Sequence, residues 1–498
     1  MNRLVIIGNG FDMAHGLKTS YMDFINWYWD QRVDGFTGNI TKKSEDCLCK
    51  LIIKDNPYLG CWNVYTFDNS YFKDAYGNRK RSGYDVLEEI KGNKEFFKVE
   101  YSPFLERIMQ SFETKRWVDI ENDYYQLLKK CTEDENCGYT AKELNEQLKF
   151  LKDKLAEYLK TLTIPNAIGE IWRAIKETAI NVADLSTKGR YLAKEINADI
   201  NIDFKSIDDS RYLEEQLNGL EPENTMLLCF NYTDTVNKYS LLGGLVPNYI
   251  HGNLDHPEHI IFGYGDELDK QYAALCDKND NELLLNDKSV KYLEKMNYRK
   301  MLDFLDAAPF QVLIMGHSCG NSDRTLLNTV FEHENCVSIK PYYHQLADGS
   351  DNFLEIAQNI KRNFTDPKLY RERVVNKELC LPMSKTIRCN FIIKVCFGKF
   401  INSVNWQQTV TVDLTEVQFD HYCDTLKTWL STDEWKNRKV ENGENSFIKR
   451  DLPDIYGLIK TKVLEKFPSI WEYKDWLYFD QIHIFTANEI CSKVKAEE

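Results

Sequence analysis

No apolar run in this 498-residue chain approaches the roughly 20 residues that a bilayer-spanning helix needs. That absence excludes an ordinary helical membrane protein. A secretory signal pattern is also missing, because the apolar run Leu4 to Ile7 is short and Gly8 follows it. There is no surplus of positive charge: 63 Lys and Arg stand against 77 Asp and Glu, a net charge of -14. This argues against a broad nucleic-acid-binding face. Paired cysteine spacing is absent too. Cys47-x-Cys49 and Cys131-x5-Cys137 do not fit a zinc site, so the 14 cysteines are expected to be reduced thiols of a cytoplasmic protein without structural metal. What is present is core-forming material: 43% hydrophobic and 13% aromatic residues rule out wholesale disorder, over a length sufficient for several domains.

The chain opens on its strongest signal. Leu4 to Ile7 is apolar without alternation, as in a strand buried on both faces of a parallel sheet, and it stops at Gly8-Asn9-Gly10. A helix is predicted from about Thr19-Ser20, with Tyr21, Phe24, Ile25 and Tyr28 at helical spacing. Residues 31 to about 100 read as irregular. From Pro103 to about Thr187 apolar residues recur near the 3.6 period, which predicts an antiparallel helical module. Unalternating runs then return at Thr225–Phe230, Tyr249-Ile250, Ile260–Phe262 and Gln311–Met315, and each ends in a Gly, Asn or His cluster. Further on, Leu326–Phe331 and Asn352–Phe364 read as helices and Cys336–Ile339 as a strand. Beyond Pro367, Phe391–Cys396 and Thr409–Val412 predict an antiparallel hairpin. Phe419–Leu430 reads as a helix, followed by a tail rich in Trp471, Tyr473, Trp476 and Tyr478. The expected fold is α/β. A Rossmann-like parallel sheet is formed by residues 1–30 and 220–366, with a mainly helical insertion over 31–219 and an α+β accessory domain over 380–498.

In an open parallel sheet the strand C-termini share one edge, and ligands bind there at the switch point. The strand-end clusters are therefore the candidate site. Gly8, Asn9, Gly10 and Phe11 would cradle a phosphate through backbone amides, with Asp12 beside them. Asn231 would hold ribose through its amide, with Asp234 as a cap or contact. His251-Gly252 offers a general base at a strand end. Gly316-His317-Ser318 and Asp323 form a late loop. That loop also resembles a Gly-x-Ser-x-Gly nucleophile elbow, with histidines downstream. His15 alone reads as structural. Asp119 and Glu121, two apart on a helix, read as a cap and a solvated face, although either could reach the sheet edge. His256 and His259 follow His251, but their spacing fits no helical metal motif and Pro257 breaks the helix.

Together the segments IIGNGFDMAHGLKTSY, WVDIEND, CFNYTDTV, YIHG, IIFGYGDE and IMGHSCGNSD resemble the AbiH family of bacterial phage-defence proteins. Their order also resembles a divergent sirtuin-type NAD-binding core. Gly8 and Gly10 match its first glycines, Asn231 its ribose- and nicotinamide-side Asn, His251 its catalytic His, and Gly316 with Ser318 its late loop. Asn9, Asp12 and Phe230 depart from that pattern, and the four-cysteine zinc module is missing. The resemblance implies an abortive-infection effector that hydrolyses NAD at the nicotinamide-ribose bond, with His251, Asn231 and Asp12 catalytic. NAD would be the substrate, no metal is expected, and the implied partners are a phage trigger or defence protein and a second copy of the chain. Three alternatives stand beside it: a nucleotide-sensing module without catalysis, a hydrolase or nuclease using Ser318 or the His/Asp clusters, and a structural scaffold.

Overall fold

The computed structural model describes residues 1–37, 43–54, 82–115, 119–134, 137–198, 219–243, 245–397, 406–430, 451–466 and 477–484. Arg79–Arg81, Trp117, Trp471, Tyr473 and Trp476 lie outside them. The strands, in chain order, are β1 (Asn2–Ile7), β2 (Lys43–Glu45), β3 (Cys49–Ile53), β4 (Phe97–Tyr101), β5 (Ile180–Asn181), β6 (Gly219–Leu220), β7 (Thr225–Cys229), β8 (Pro247–Tyr249), β9 (Phe310–Met315), β10 (Cys336–Gln345), β11 (Pro382–Phe397), β12 (Trp406–Thr415) and β13 (Leu477–Ile484). The chain divides into two compact units, residues 1–342 with 353–381 and residues 343–352 with 382–498.

The first unit is built on a parallel sheet with strand order β10-β9-β1-β7-β8. Every residue of β1 and β9 is buried, as their unalternating sequences require. The register puts Ile7 beside both Cys229 and Met315, and Cys229 beside Tyr249. The strand ends therefore meet along one edge. From β1 the chain winds to β7 and β8, then returns to lay β9 on the opposite side of β1. The winding reverses between β1 and β9.

Two expectations need correction. First, Ile260–Phe262 is not a strand. These residues are buried, but as a loop whose Ile261 N–H donates to the His251 carbonyl and whose Ile260 and Phe262 join the helical core. Second, a short helix α1 (Asn9–Ala14) precedes α2 (Tyr21–Thr37). Residues 31 to 100 also hold more structure than their polarity signals. β2, β3 and β4 form an antiparallel sheet, and α3 (Gly83–Gly92) is capped by Ser82.

The helical core then adds α4 (Pro103–Lys115), α5 (Ile120–Glu133) and α6 (Ala141–Leu159). Thr140 and Glu143 start α6 with a reciprocal capping box. Its Leu144, Leu148, Leu151 and Leu155 bury one stripe against Phe24, Trp29 and Tyr124. Among the described residues no helix is long and apolar enough to cross a membrane.

In the second unit β11 pairs antiparallel with β12, Phe391 opposite Val410, as the hairpin pattern predicts. β13 takes the other edge of β11. A helix over Glu416–Leu430 contributes buried Phe419, Tyr422 and Cys423 to this unit's core.

Candidate functional site

The Gly8-Asn9-Gly10 turn is tight because another backbone lies against it. A Cβ added to Gly8 would sit 2.5 Å from His317 Cα, and one on Gly10 2.9 Å from Gly316 Cα. The Gly8 N–H donates to the Met315 carbonyl (3.1 Å) and the Gly10 N–H to the Gly316 carbonyl (2.7 Å). These two amides are thus taken within the fold and do not face an anion. The crevice between β1 and β9 is filled by the loop that follows β9. Phe11 is fully buried against His15 and Tyr239. Asn9 is exposed, and its Nδ2 lies 3.8 Å from Met13 Sδ in its own helix.

His15 is a satisfied core histidine. Its Nδ1 faces the Phe11 carbonyl at 2.7 Å, which requires a proton there, leaving Nε2 to accept from the Tyr239 hydroxyl at 2.7 Å. Asp12 is 1% exposed. The Thr233 hydroxyl donates to its Oδ2 at 2.5 Å, while Oδ1 has no partner among the described residues. Asn231 Nδ2 donates to the Gly8 carbonyl at 2.9 Å, tying the end of β7 to the end of β1. Asp234 stands apart from these, accepting from Asn237 Nδ2.

Burial raises the Asp12 carboxyl to about 6 against the opposing hydrogen bonds of Thr233, Thr235 and Asn231. A carboxyl raised on folding holds its proton more tightly in the native state. Its ionisation therefore costs stability as pH climbs from the unfolded value of 3.8 to about 6. At about 1.4 kcal/mol per pKa unit, the cost reaches roughly 3 kcal/mol by pH 7. Urea titrations at pH 4.5 and 7 are expected to show Asp12→Asn gaining on the parent at the higher pH. An unchanged difference between the two would contradict this.

The remaining strand ends converge on one buried polar cluster. Asp323, in the short helical turn Asn321–Asp323 after β9, receives Lys288 Nζ on Oδ1 at 2.8 Å. His251 Nε2 lies 3.3 Å from the same oxygen, and His317 Nε2 lies 3.5 Å from Oδ2. Lys288 Nζ also reaches Glu121 Oε1 at 3.1 Å, and Glu121 Oε1 accepts the Gly263 N–H at 2.9 Å. None of these five residues is more than 8% exposed. Aromatic rings enclose them: Phe230 packs edge-on against both imidazoles, at 5.0 and 4.3 Å, and the Tyr292 hydroxyl is 3.1 Å from His251 Nε2.

The electrostatics divide the carboxylates. Burial alone would raise Asp323, but Lys288, then His251 and His317, hold it well below the usual carboxylate range. Glu121 rises to about 7, because desolvation outweighs its share of Lys288. Desolvation, aided by Lys288, lowers His251 to about 4 despite Asp323. His251 is therefore neutral at pH 7. With Asp323 ionised, the His251 proton sits on Nε2 and the Nδ1 lone pair is available. The Cys319 N–H donates to His317 Nδ1 at 3.0 Å, so the proton of that neutral ring is on Nε2, facing Asp323.

The structure thus brings His251, His317 and Asp323 together, gathers Asp12 with Asn231 and Thr233, and leaves Asn9 and Asp234 aside. Ser318 is exposed, and among the described residues no histidine reaches its hydroxyl. Besides Gly316, the residue of that turn with positive φ is Cys319 (φ 54°), not Ser318. Neither feature of a serine nucleophile is present.

The sequence pattern missed Lys288 altogether and set Glu121 aside as solvated. Asp119 does cap α5, accepting the Asn122 N–H at 3.0 Å. Glu121 instead points into the cluster. A family model described as bacteriophage abortive infection AbiH matches residues 4–344. No curated protein and no solved structure matches the chain.

Proposed function

The chain belongs to the AbiH family, a family of bacteriophage abortive infection, and on that premise we propose that the buried cluster is a catalytic centre which hydrolyses NAD at the nicotinamide-ribose bond. The observation that carries this is the pair of imidazoles on one carboxylate. His251 and His317 both contact Asp323, which Lys288 keeps ionised, at the edge where a parallel sheet places its ligands. Support also comes from the sirtuin-like order of the strand ends, since Asn231, His251, Gly316 and Ser318 all follow strands of this sheet at the same edge.

The chemistry follows from the protonation states. The C1′–N bond breaks and the nicotinamide nitrogen takes its electron pair, becoming neutral. Positive charge develops on the ribose, where buried carboxylate in a water-poor site stabilises it. Water adds to C1′ and gives its proton to His251 Nδ1, while Asp323 orients the imidazole through Nε2. Lys288 prevents Asp323 from taking that proton. Asp12, whose Oδ1 lacks a partner among the described residues, would position the nicotinamide amide. The enclosure of the cluster means that substrate enters only after the covering residues move. Such a closed resting state suits a self-toxic cytoplasmic effector released by a phage trigger or partner protein.

His251→Ala is expected to abolish protection in a phage plaque assay, with at least a hundredfold rise in plaques at an equal level of soluble protein. Full protection by that variant at equal protein level would sink the assignment.

A further inference from the structure

A cavity of about 400 Å³ lies on the reverse side of the turn that carries His251. Ile250, Gly252 and Asn253 line it, while the His251 imidazole faces the buried cluster. Its floor is apolar, from Met226, Pro247, Ile250 and Ile261. Val246, 84% exposed, extends that surface outward. The polar lining is neutral or cationic: Asn248, Asn253, Asn297, His256, His259, Lys295 and Lys300. Among the described residues no carboxylate lines the cavity, in a chain of net charge -14. Glu258 pairs with both histidines from outside it, at 3.3 and 3.6 Å. Lys295 and Lys300 have no carboxylate partner among the described residues.

Asn248 gives the cavity a directional contact. The residue is 8% exposed, and its Nδ2 donates to the Asn297 carbonyl at 2.8 Å. Its Oδ1 accepts nothing among the described residues. An unpaired amide oxygen at a cavity wall offers an acceptor to an N–H donor. An apolar slot, an acceptor for an amino group and two unpaired ammonium groups together match a purine nucleotide. The base would lie against the apolar floor with its exocyclic amine on Asn248, and the phosphate would lie at Lys295 and Lys300. The volume falls within the roughly 300–1,000 Å³ usual for small-ligand sites.

We propose that this cavity binds a nucleotide with an amino-bearing base and at least one phosphate, at a site separate from the catalytic cluster. It does not depend on the identity of the hydrolysed substrate. The test is calorimetric titration of the full chain with adenosine 5′-monophosphate and with adenosine. The monophosphate is expected to bind saturably and about tenfold more tightly than the nucleoside. The double variant Lys295→Glu/Lys300→Glu is expected to lose at least tenfold in monophosphate affinity while holding adenosine unchanged. His251→Ala is expected to bind both as the parent does. Absence of saturable monophosphate binding, or the same affinity in the double lysine variant, would overturn the proposal. Binding lost in His251→Ala but kept in the lysine variant would also overturn it, since that would move the nucleotide to the cluster.

Discussion

Replacing Lys288 with methionine is expected to destabilise the first unit by about 3–5 kcal/mol at pH 8, the range seen when one partner of a buried ion network is removed. Lys288 is fully buried and its ammonium group bridges Glu121 and Asp323. Methionine keeps much of the volume and leaves two carboxylates facing each other in a dry site. Both will respond by holding protons. A carboxyl whose folded pKa is raised costs stability as pH rises from its unfolded value toward the folded one, so the penalty grows upward from pH 4 to 5. Lys288→Met is therefore expected to lie closer to the parent at pH 5 than at pH 8. Adding Glu121→Gln is expected to recover part of the loss at pH 8, because it removes one of the two uncompensated charges. Urea unfolding at the two pH values measures this. A pH-independent loss with no rescue would mean that Lys288 acts through packing alone.

The second large effect is expected at Gly316. This residue has φ +75°, and a Cβ there would lie 2.0 Å from the Phe11 nitrogen. Gly316→Ala carries a left-handed penalty of about 1–3 kcal/mol and an overpacking penalty of similar size against backbone that has no rotamer to give. A loss of about 3–5 kcal/mol follows, enough to remove most soluble protein from expression. Gly16 separates the two terms. Its φ is +82°, but nothing lies within 4 Å of an added Cβ, so Gly16→Ala is expected to cost only about 1–2 kcal/mol. Comparable melting of the two variants would show that the β1–β9 crevice is not closed as described.

The parallel sheet was legible because fully buried strands carry no polar alternation, and β1, β7 and β9 all announce themselves in this way. Ile260–Phe262 has the same apolar density, yet it is buried by the helical core rather than by neighbouring strands. Periodicity over three residues cannot tell these environments apart. Helix α1 was hidden because its first residues, Asn9 and Gly10, are poor helix formers, held in place by the Gly10 N–H donating to the Gly316 carbonyl of the β9 loop. The glycines correctly signalled a close approach, but not that the approaching group is Gly316-His317. His251, His317 and Asp323 were visible because strand ends of one sheet must meet. Lys288 was not, because its contact with Glu121 joins positions 167 residues apart and leaves no local pattern. Asp12 stood out as a carboxylate where the sirtuin pattern has a small hydroxyl residue. In the structure its partner is the Thr233 hydroxyl, 221 residues away in the sequence.

Cellular NAD, followed through phage infection in bacteria carrying either the parent protein or His251→Ala, is the most direct test of a hydrolytic cluster. Infected cells with the parent protein are expected to lose most of their NAD and to accumulate nicotinamide and ADP-ribose before lysis, while His251→Ala cells retain NAD. NAD that stays level in protected, parent-carrying cells would contradict NAD hydrolysis outright.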